Sequence, residues 1–369
     1  MRYRACAMQQ SHPSPTPSVA TVVKTLRDGY WDRTELIRLE DGSLRVRKIS
    51  KGTAAPGPWG VSTLRREIEY LKALQGKAAD LFPALLAAWD DTAQLGYEMA
   101  CVENSIDVAV LAQSAAMTQQ QADMFQDSLG QAVFKHLHQP IAPHESLASH
   151  VQQTITEALT RLRLHNEFAP LIDADVVHIN DTRLPGLQSA MQRLLRRPTT
   201  LETLDAAPCV RLHGDLFLEN VLVPRQDDAT ATPTRFKLID PVSVAGVYHG
   251  HPLFDLVKYE SYATGELLAM RAEKVYVDGF ADPSAGGYAY RVCTDNPVVK
   301  PFHAIDWHSR FRAAYVRRYG QVDHRAYCLL EAYFALVMAL CTSGLHQQAR
   351  VLKATLALNE AVPTDCPQE

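Results

Sequence analysis

The chain has 369 residues, 47% of them hydrophobic, and a formal charge of −4. That length supports two lobes with sizeable cores, while the mild acidity and the lack of any dense Lys/Arg run argue against a phosphate-tracking surface, so no nucleic acid partner is expected. The longest apolar run, residues 332–341, has about half of the ~20 residues a membrane span needs and reads as a core helix, so no membrane partner is expected either.

Residues 1–18 carry charge and prolines but no apolar signal-peptide core, and read as a disordered tail. Seven cysteines, at positions 6, 101, 209, 293, 328, 341 and 366, show neither C-x-x-C spacing nor an even count, which fits a reduced, cytoplasmic thiol set.

A first strand is expected near 22–26. Segments 34–39 and 44–49 then alternate apolar and polar residues around Asp41-Gly42, a strong hairpin signal. Leu44, Val46 and Lys48 share one face of the second of these strands, which turns Lys48 inward beside Val46 and leaves Arg45 and Arg47 outward. The connection at 27–32 has one glycine and no G-x-G-x-x-G. In 62–74, Leu64, Ile68, Leu71 and Leu74 form a helical stripe with Glu67 beside it. Glu67, closer to that stripe than Glu69, is placed to pair with Lys48. Strands are expected at 85–89 and 95–100, and the stretch beginning at Cys101 would link a sheet-rich lobe, 19–103, to a mainly helical one, 104–360.

Helical periodicity marks 117–138, 150–164 and 184–196, broken by Pro140, Pro143, Pro170 and Pro198. The run Leu212-His213-Gly214-Asp215-Leu216-Phe217-Leu218-Glu219-Asn220-Val221-Leu222 follows, and after it Phe236-Lys237-Leu238-Ile239-Asp240-Pro241. Short strands at 221–223 and 235–239 make a hairpin, with Asn220 and Asp240 expected at its opposite ends. The residue types suit phosphotransfer. Asp215 can accept or orient the proton of an attacking hydroxyl. Asn220 and Asp240 are hard oxygen donors suited to Mg²⁺, which takes a few protein ligands together with phosphate oxygens and water. His213 is expected to brace the turn through backbone hydrogen bonds without touching substrate.

The pattern H-G-D-L-x-x-x-N-h-L, then h-I-D-P, then Pro252-Leu253-Phe254-Asp255-Leu256, resembles the aminoglycoside phosphotransferase and choline kinase group of small-molecule kinases, over about residues 20–345. The resemblance implies an α+β, bilobal protein-kinase-like fold: a small antiparallel-sheet lobe and a larger, mainly helical one. It implies that Asp215 is the base, Asn220 and Asp240 hold Mg²⁺, and Asp255 is a buried carboxylate shaping the catalytic loop. It also implies that Lys48, held by Glu67, meets the ATP phosphates, with Val46 and the Cys101 backbone at the nucleotide. The expected activity is ATP-dependent transfer to a hydroxyl of a sugar, amino alcohol or aminoglycoside. A divergent serine/threonine protein kinase is the first alternative. Phe217 where those enzymes usually carry lysine, and the absence of Asp-Phe-Gly and Ala-Pro-Glu, speak against it. A nucleotide-binding pseudokinase is the second.

Downstream, 307–319 and 327–359 read as helices, and the Gly/Pro/Asp-rich 278–301 as a loop able to act as a substrate lid. His249-Gly250-His251 is read as loop or pocket histidines and not as a metal site, because Mg²⁺ prefers oxygen to imidazole.

Overall fold

The computed structural model describes residues 16–29, 31–52, 60–90, 94–114, 117–142, 145–206, 208–225, 234–282 and 287–362. Two compact units, Met1–Val102 and Glu103–Glu369, divide the chain.

The first unit holds strands β1 (Ala20–Asp28), β2 (Asp32–Leu39), β3 (Leu44–Ser50), β4 (Leu85–Asp90) and β5 (Leu95–Ala100), with helices α1 (Gly60–Ala73) and α2 (Gly76–Asp80). The strands form one antiparallel sheet in the order β1-β2-β3-β5-β4. Asp41 drives the β2–β3 turn: its carboxylate takes the Ser43 amide at 2.9 Å and hydroxyl at 2.6 Å, while Gly42 adopts φ 84°. Leu64 and Ile68 of α1 pack on Ala88, Leu95, Tyr97 and Met99 of the sheet. Burying each of those aliphatic side chains stabilises the unit by about 1.5–3 kcal/mol. Gly96 is required where the sheet is tightest, because a Cβ there would run into the Trp89 ring and the Lys48 carbonyl.

Two expectations change in this unit. Arg45 and Arg47 lie on the face opposite Lys48, yet they are not simply solvated. Both pair with the fully buried Glu98, at 3.1 and 2.8 Å, because an ionised carboxylate in a sheet face needs cations around it. Ser18, expected at the end of a loose tail, donates its amide and hydroxyl to the same Glu98 at 2.9 and 2.7 Å. The earlier part of that tail lies outside the described residues.

The second unit is mainly helical. Its N-terminal part runs β6 (Ser105–Asp107), α3 (Val108–Gln113), α4 (Gln119–Gln131), a π-helical turn Ala132–Leu137, α5 (Leu147–Leu162), α6 (Ala169–Asp173), β7 (Val177–Ile179), β8 (Thr182–Leu184), α7 (Leu187–Arg196) and α8 (Thr199–Ala206). Then come β9 (Val210–Arg211), a 3₁₀ turn Leu218–Asn220, β10 (Val221–Pro224), β11 (Lys237–Leu238), β12 (His249–Gly250), α9 (Leu253–Ala263) and α10 (Glu266–Arg271). The chain ends in β13 (Val275–Asp278), β14 (Gly287–Val292), α11 (Lys300–Ala304), α12 (Ser309–Tyr319), α13 (His324–Ala339) and α14 (Gly344–Ala361).

The expected pairing of a small antiparallel-sheet unit with a larger helical one is met. Within the second unit, part of the segment read as a lid is strand: β14 occupies 287–292, and 283–286 lie outside the described residues. β13 and β14 pair, and β14 runs parallel to β7 in a four-stranded sheet with β8. The glycines, prolines and aspartates of 278–301 suggest a loop and conceal Tyr288 and Tyr290, which are buried. The single helix expected over 327–359 is an antiparallel pair, α13 and α14, interrupted where Ser343 is extended and Gly344 takes φ 59°. No helix among the described residues is long and apolar enough to cross a membrane.

Candidate active site

In the first unit, alternation along β3 turns Lys48 onto the face that α1 covers. Its ammonium meets both carboxylate oxygens of Glu67, at 3.1 and 2.9 Å, and both residues are buried. Tyr97 on β5, the register partner of Lys48, donates its hydroxyl to Glu67 at 2.7 Å. Asp32 adds a longer contact to the ammonium at 3.7 Å. Val46 shares that face and is half-buried against the Leu64 cluster. Cys101 follows β5 directly and is partly exposed.

In the second unit the loop 212–220 is built around Asp255. This carboxylate is fully buried at the first turn of α9 and accepts three hydrogen bonds: the His213 amide at 2.8 Å, the Gly214 amide at 2.8 Å and His138 Nε2 at 2.9 Å. Burial pushes the Asp255 carboxyl up, but the hydrogen bonds from His138 and from the His213 amide outweigh it and hold it below the usual carboxylate range. Gly214 can only be glycine, since it sits at φ 81° with the Val247 carbonyl where a Cβ would project. His213 is fully buried, and its Nδ1 accepts the Asp215 amide at 3.3 Å. Burial holds its imidazole below the ordinary histidine value against the pull of Asp255, Asp215 and Asp240, which keeps the ring neutral at pH 7.

Asp215 and Asn220 are drawn together. The Asn220 amide nitrogen donates to the Asp215 carbonyl at 2.8 Å and to its carboxylate at 3.3 Å. That assignment leaves the Asn220 amide oxygen as the end suited to a hard cation.

Val221 pairs with Leu238, and Ile239 donates to the Asn220 carbonyl at 3.0 Å. Asn220 and Asp240 therefore lie side by side at the open end of the hairpin, not at opposite ends. In an antiparallel pair the residue before the first strand necessarily neighbours the residue after the second. Asp240 (φ 51°) and Val242 (φ 75°) both adopt the left-handed region around Pro241. A β-branched residue there is strained by about 1–3 kcal/mol. The Val242 amide donates to the His213 carbonyl at 2.6 Å and ties this turn to the loop 212–220. Two neighbouring oxygen donors, one amide and one carboxylate, fit Mg²⁺ and make a poor site for a softer metal.

Lys258 was missed by the sequence reading. One turn after Asp255 on α9, it is buried between the rings of Phe217 and Phe334, at 4.5 and 4.6 Å, and its ammonium meets Asp215 Oδ1 at 3.0 Å. Burial lowers its pKa and Asp215 opposes that shift. A charged residue within the otherwise apolar 253–259 run, three positions from Asp255, was the available signal. His138 and Tyr97 were missed too, and no local pattern marks either.

The remaining residues are less central. His249 lies on β12, and His251 is buried with Nδ1 accepting the Leu253 amide at 3.0 Å at the start of α9. Glu219 points away from the hairpin and accepts Tyr262 at 2.9 Å and Arg271 at 2.7 Å.

No family model and no curated protein sequence matches the chain. Among solved structures it is similar to a protein assigned as a fructosamine-3-kinase from Thermobifida fusca YX-ER1, with 15% identity over 94% of each chain and a TM-score of 0.49. It is also similar to a glucosamine kinase bound to glucosamine, ADP and inorganic phosphate, with 14% identity over 95% of each chain and a TM-score of 0.43. A third is an amicoumacin kinase bound to AMP-PNP and Ca²⁺, with 11% identity over 96% of this chain and 92% of the other and a TM-score of 0.47. The solved structures it is similar to are small-molecule kinases of protein-kinase-like fold.

Proposed function

We propose that the chain is an ATP-dependent, Mg²⁺-requiring O-phosphotransferase whose acceptor is a hydroxyl of a small polar metabolite. The observation that carries this reading is the cluster Asp215, Asn220, Asp240 and Lys258, in which a carboxylate, two metal-ready oxygens and an ammonium meet at one end of a hairpin.

Asp215 Oδ2, whose contact from Asn220 is long at 3.3 Å, orients the acceptor hydroxyl and takes its proton. The acceptor oxygen bonds to the γ-phosphorus as the bond to the β-bridging oxygen breaks, and ADP leaves carrying that electron pair. No serine, cysteine or histidine stands in the loop as a nucleophile, so transfer is direct. Asn220 and Asp240 would hold the Mg²⁺, which neutralises charge on the phosphates when bound. Lys48, fixed by Glu67, is assigned the α- and β-phosphates.

The case against the protein-kinase alternative loses one argument and keeps another. Phe217 no longer separates the two classes, because Lys258 sets an ammonium over that ring. The missing Asp-Phe-Gly and Ala-Pro-Glu still speak against a polypeptide acceptor.

The test is an ADP-release screen of sugars, amino alcohols and aminoglycosides with Mg²⁺, run beside Asp215→Asn. Acceptor-dependent turnover should drop about 10²–10⁴-fold in the variant while ATP binding survives. Undiminished turnover would remove Asp215 from its role.

A further inference from the structure

Helix α14 carries a guanidinium that the fold buries and that pairs with no carboxylate among the described residues. Arg350 is 7% exposed, and its hydrogen-bond partner among the described residues is its own-helix neighbour His346, whose Nε2 accepts from Arg350 Nε at 3.2 Å. Burial, then the charge of Arg350, then that of Arg271, push His346 down to about 4, so the ring is neutral and accepts this bond.

The other cations nearby are matched. Lys258 has Asp215 at 3.0 Å, Arg271 has Glu219 at 2.7 Å, and Lys353 has Glu266 at 3.2 Å and Glu331 at 3.3 Å. Glu266, the carboxylate whose field reaches Arg350, also accepts the Tyr290 hydroxyl at 2.6 Å. An unmatched buried charge is costly to keep, and a guanidinium so placed offers a planar fork to an oxyanion.

Its position is the informative part. The Phe217 ring, two residues after Asp215, carries Lys258 at 4.5 Å and Arg271 at 5.8 Å. Burial first, and then repulsion from Arg271, lower Arg350 to about 10, and Lys258 is repelled by both arginines. Lys353, one turn after Arg350 on α14, holds Glu266 of α10, the helix that ends in Arg271, so the three cations stand on neighbouring helices; Lys258 alone meets the carboxylate assigned as base, and Arg350 is the one unspent.

We propose that Arg350, assisted by Arg271 and Lys258, forms an anion subsite for the acceptor, so that the hydroxyl phosphorylated belongs to a molecule that also bears a carboxylate or phosphate group. This rests on the kinase reading for the word acceptor, while the subsite itself does not. Cationic acceptors such as aminoglycosides are disfavoured, because a second positive charge would have to enter beside an uncompensated first.

The experiment is calorimetric binding to the full-length protein saturated with Mg²⁺ and AMP-PNP, using glucuronate, glucose 6-phosphate, glucose and glucosamine as probes. At least one anionic probe should bind on the order of tenfold or more tighter than glucose. Arg350→Gln should abolish that preference, and Arg350→Lys should retain part of it, because the charge stays while the fork is lost. Arg271→Gln, at a more exposed position, should weaken the preference without threatening the fold. Which anionic probe wins separates a carboxylate from a phosphate ligand. Equal or tighter binding of glucose or glucosamine, or an anion preference unchanged in Arg350→Gln, overturns the proposal. So does Arg350→Gln weakening AMP-PNP instead, since the anion would then be the nucleotide's own. Arg350-dependent anion binding without ADP release would keep the subsite and remove the kinase. ADP release with neutral sugars, indifferent to Arg350, would do the reverse.

Discussion

Lys48 and Lys258 are both buried ammonium groups facing a carboxylate, one in each unit, and they are held in opposite ways. Glu67 gives Lys48 both oxygens and is itself fixed by Tyr97. Lys258 meets one oxygen of Asp215 and is otherwise surrounded by the faces of two phenylalanine rings. The first pair is saturated, which suits a group whose task is to stay in one place. The second leaves a carboxylate oxygen available, which suits a group that must handle a proton. Burial depth is similar in the two cases, so the number of partners and not the burial separates the two pairs, as the proposed roles of holding a phosphate and handling a proton require.

The comparison can be strained at several points. The largest effect should come from Asp255→Ala, which strips three buried donors of their acceptor; a loss of about 3–5 kcal/mol in chemical unfolding is expected, with activity falling in parallel. Full stability in that variant would mean the loop does not depend on the carboxylate. Next are Lys48→Met and Lys258→Met, each expected to lower kcat/KM by about 10–100-fold from the loss of a charged hydrogen bond. The first should act mainly through the KM for ATP and the second mainly through kcat. Identical kinetic signatures would erase the distinction between the pairs.

Acidity sharpens the same contrast, because the loop is flanked by histidines kept neutral. Burial pushes His251 down to about 4 from 6.5. Above pH 6.5 neither folded nor unfolded chain is protonated there and stability is complete. Between 6.5 and 4 the unfolded chain takes up a proton that the folded one refuses, so stability falls as pH falls, by about 2 kcal/mol at pH 5. Urea midpoints at pH 7 and pH 5 should converge more in His251→Gln than in the parent; equal slopes would show that His251 does not carry the effect. The smallest change should be Tyr97→Phe, which removes one hydrogen bond from a saturated pair and should cost about 1 kcal/mol with kcat almost unchanged.

Much of the fold was legible because its signals are local. The Asp41-Gly42 turn, the alternation along 44–50 and the stripe Leu64–Ile68 each follow from a few adjacent residues, and together they placed Lys48 against Glu67. The H-x-D-x-x-x-x-N spacing likewise located the loop that joins Asp215 to Asn220. What escaped was long-range. His138 reaches Asp255 across 117 positions, Lys258 reaches Asp215 only once α9 has packed, and β14 pairs with β7 from more than a hundred residues away. The hairpin error was of another kind. Asn220 and Asp240 were both picked out, but strand direction was not carried through to their adjacency.

The π-helical turn Ala132–Leu137 deserves a last reading in these terms. Such a turn is an α-helix with one residue too many, and here the surplus residue sets the angle at which His138 leaves the helix for Asp255. Removing one residue would return the segment to an ordinary α-helix and swing His138 by about 100° around its axis. The count of residues between 132 and 137 therefore sets the contact of His138 with Asp255: engineering of this segment can change its letters far more freely than its length.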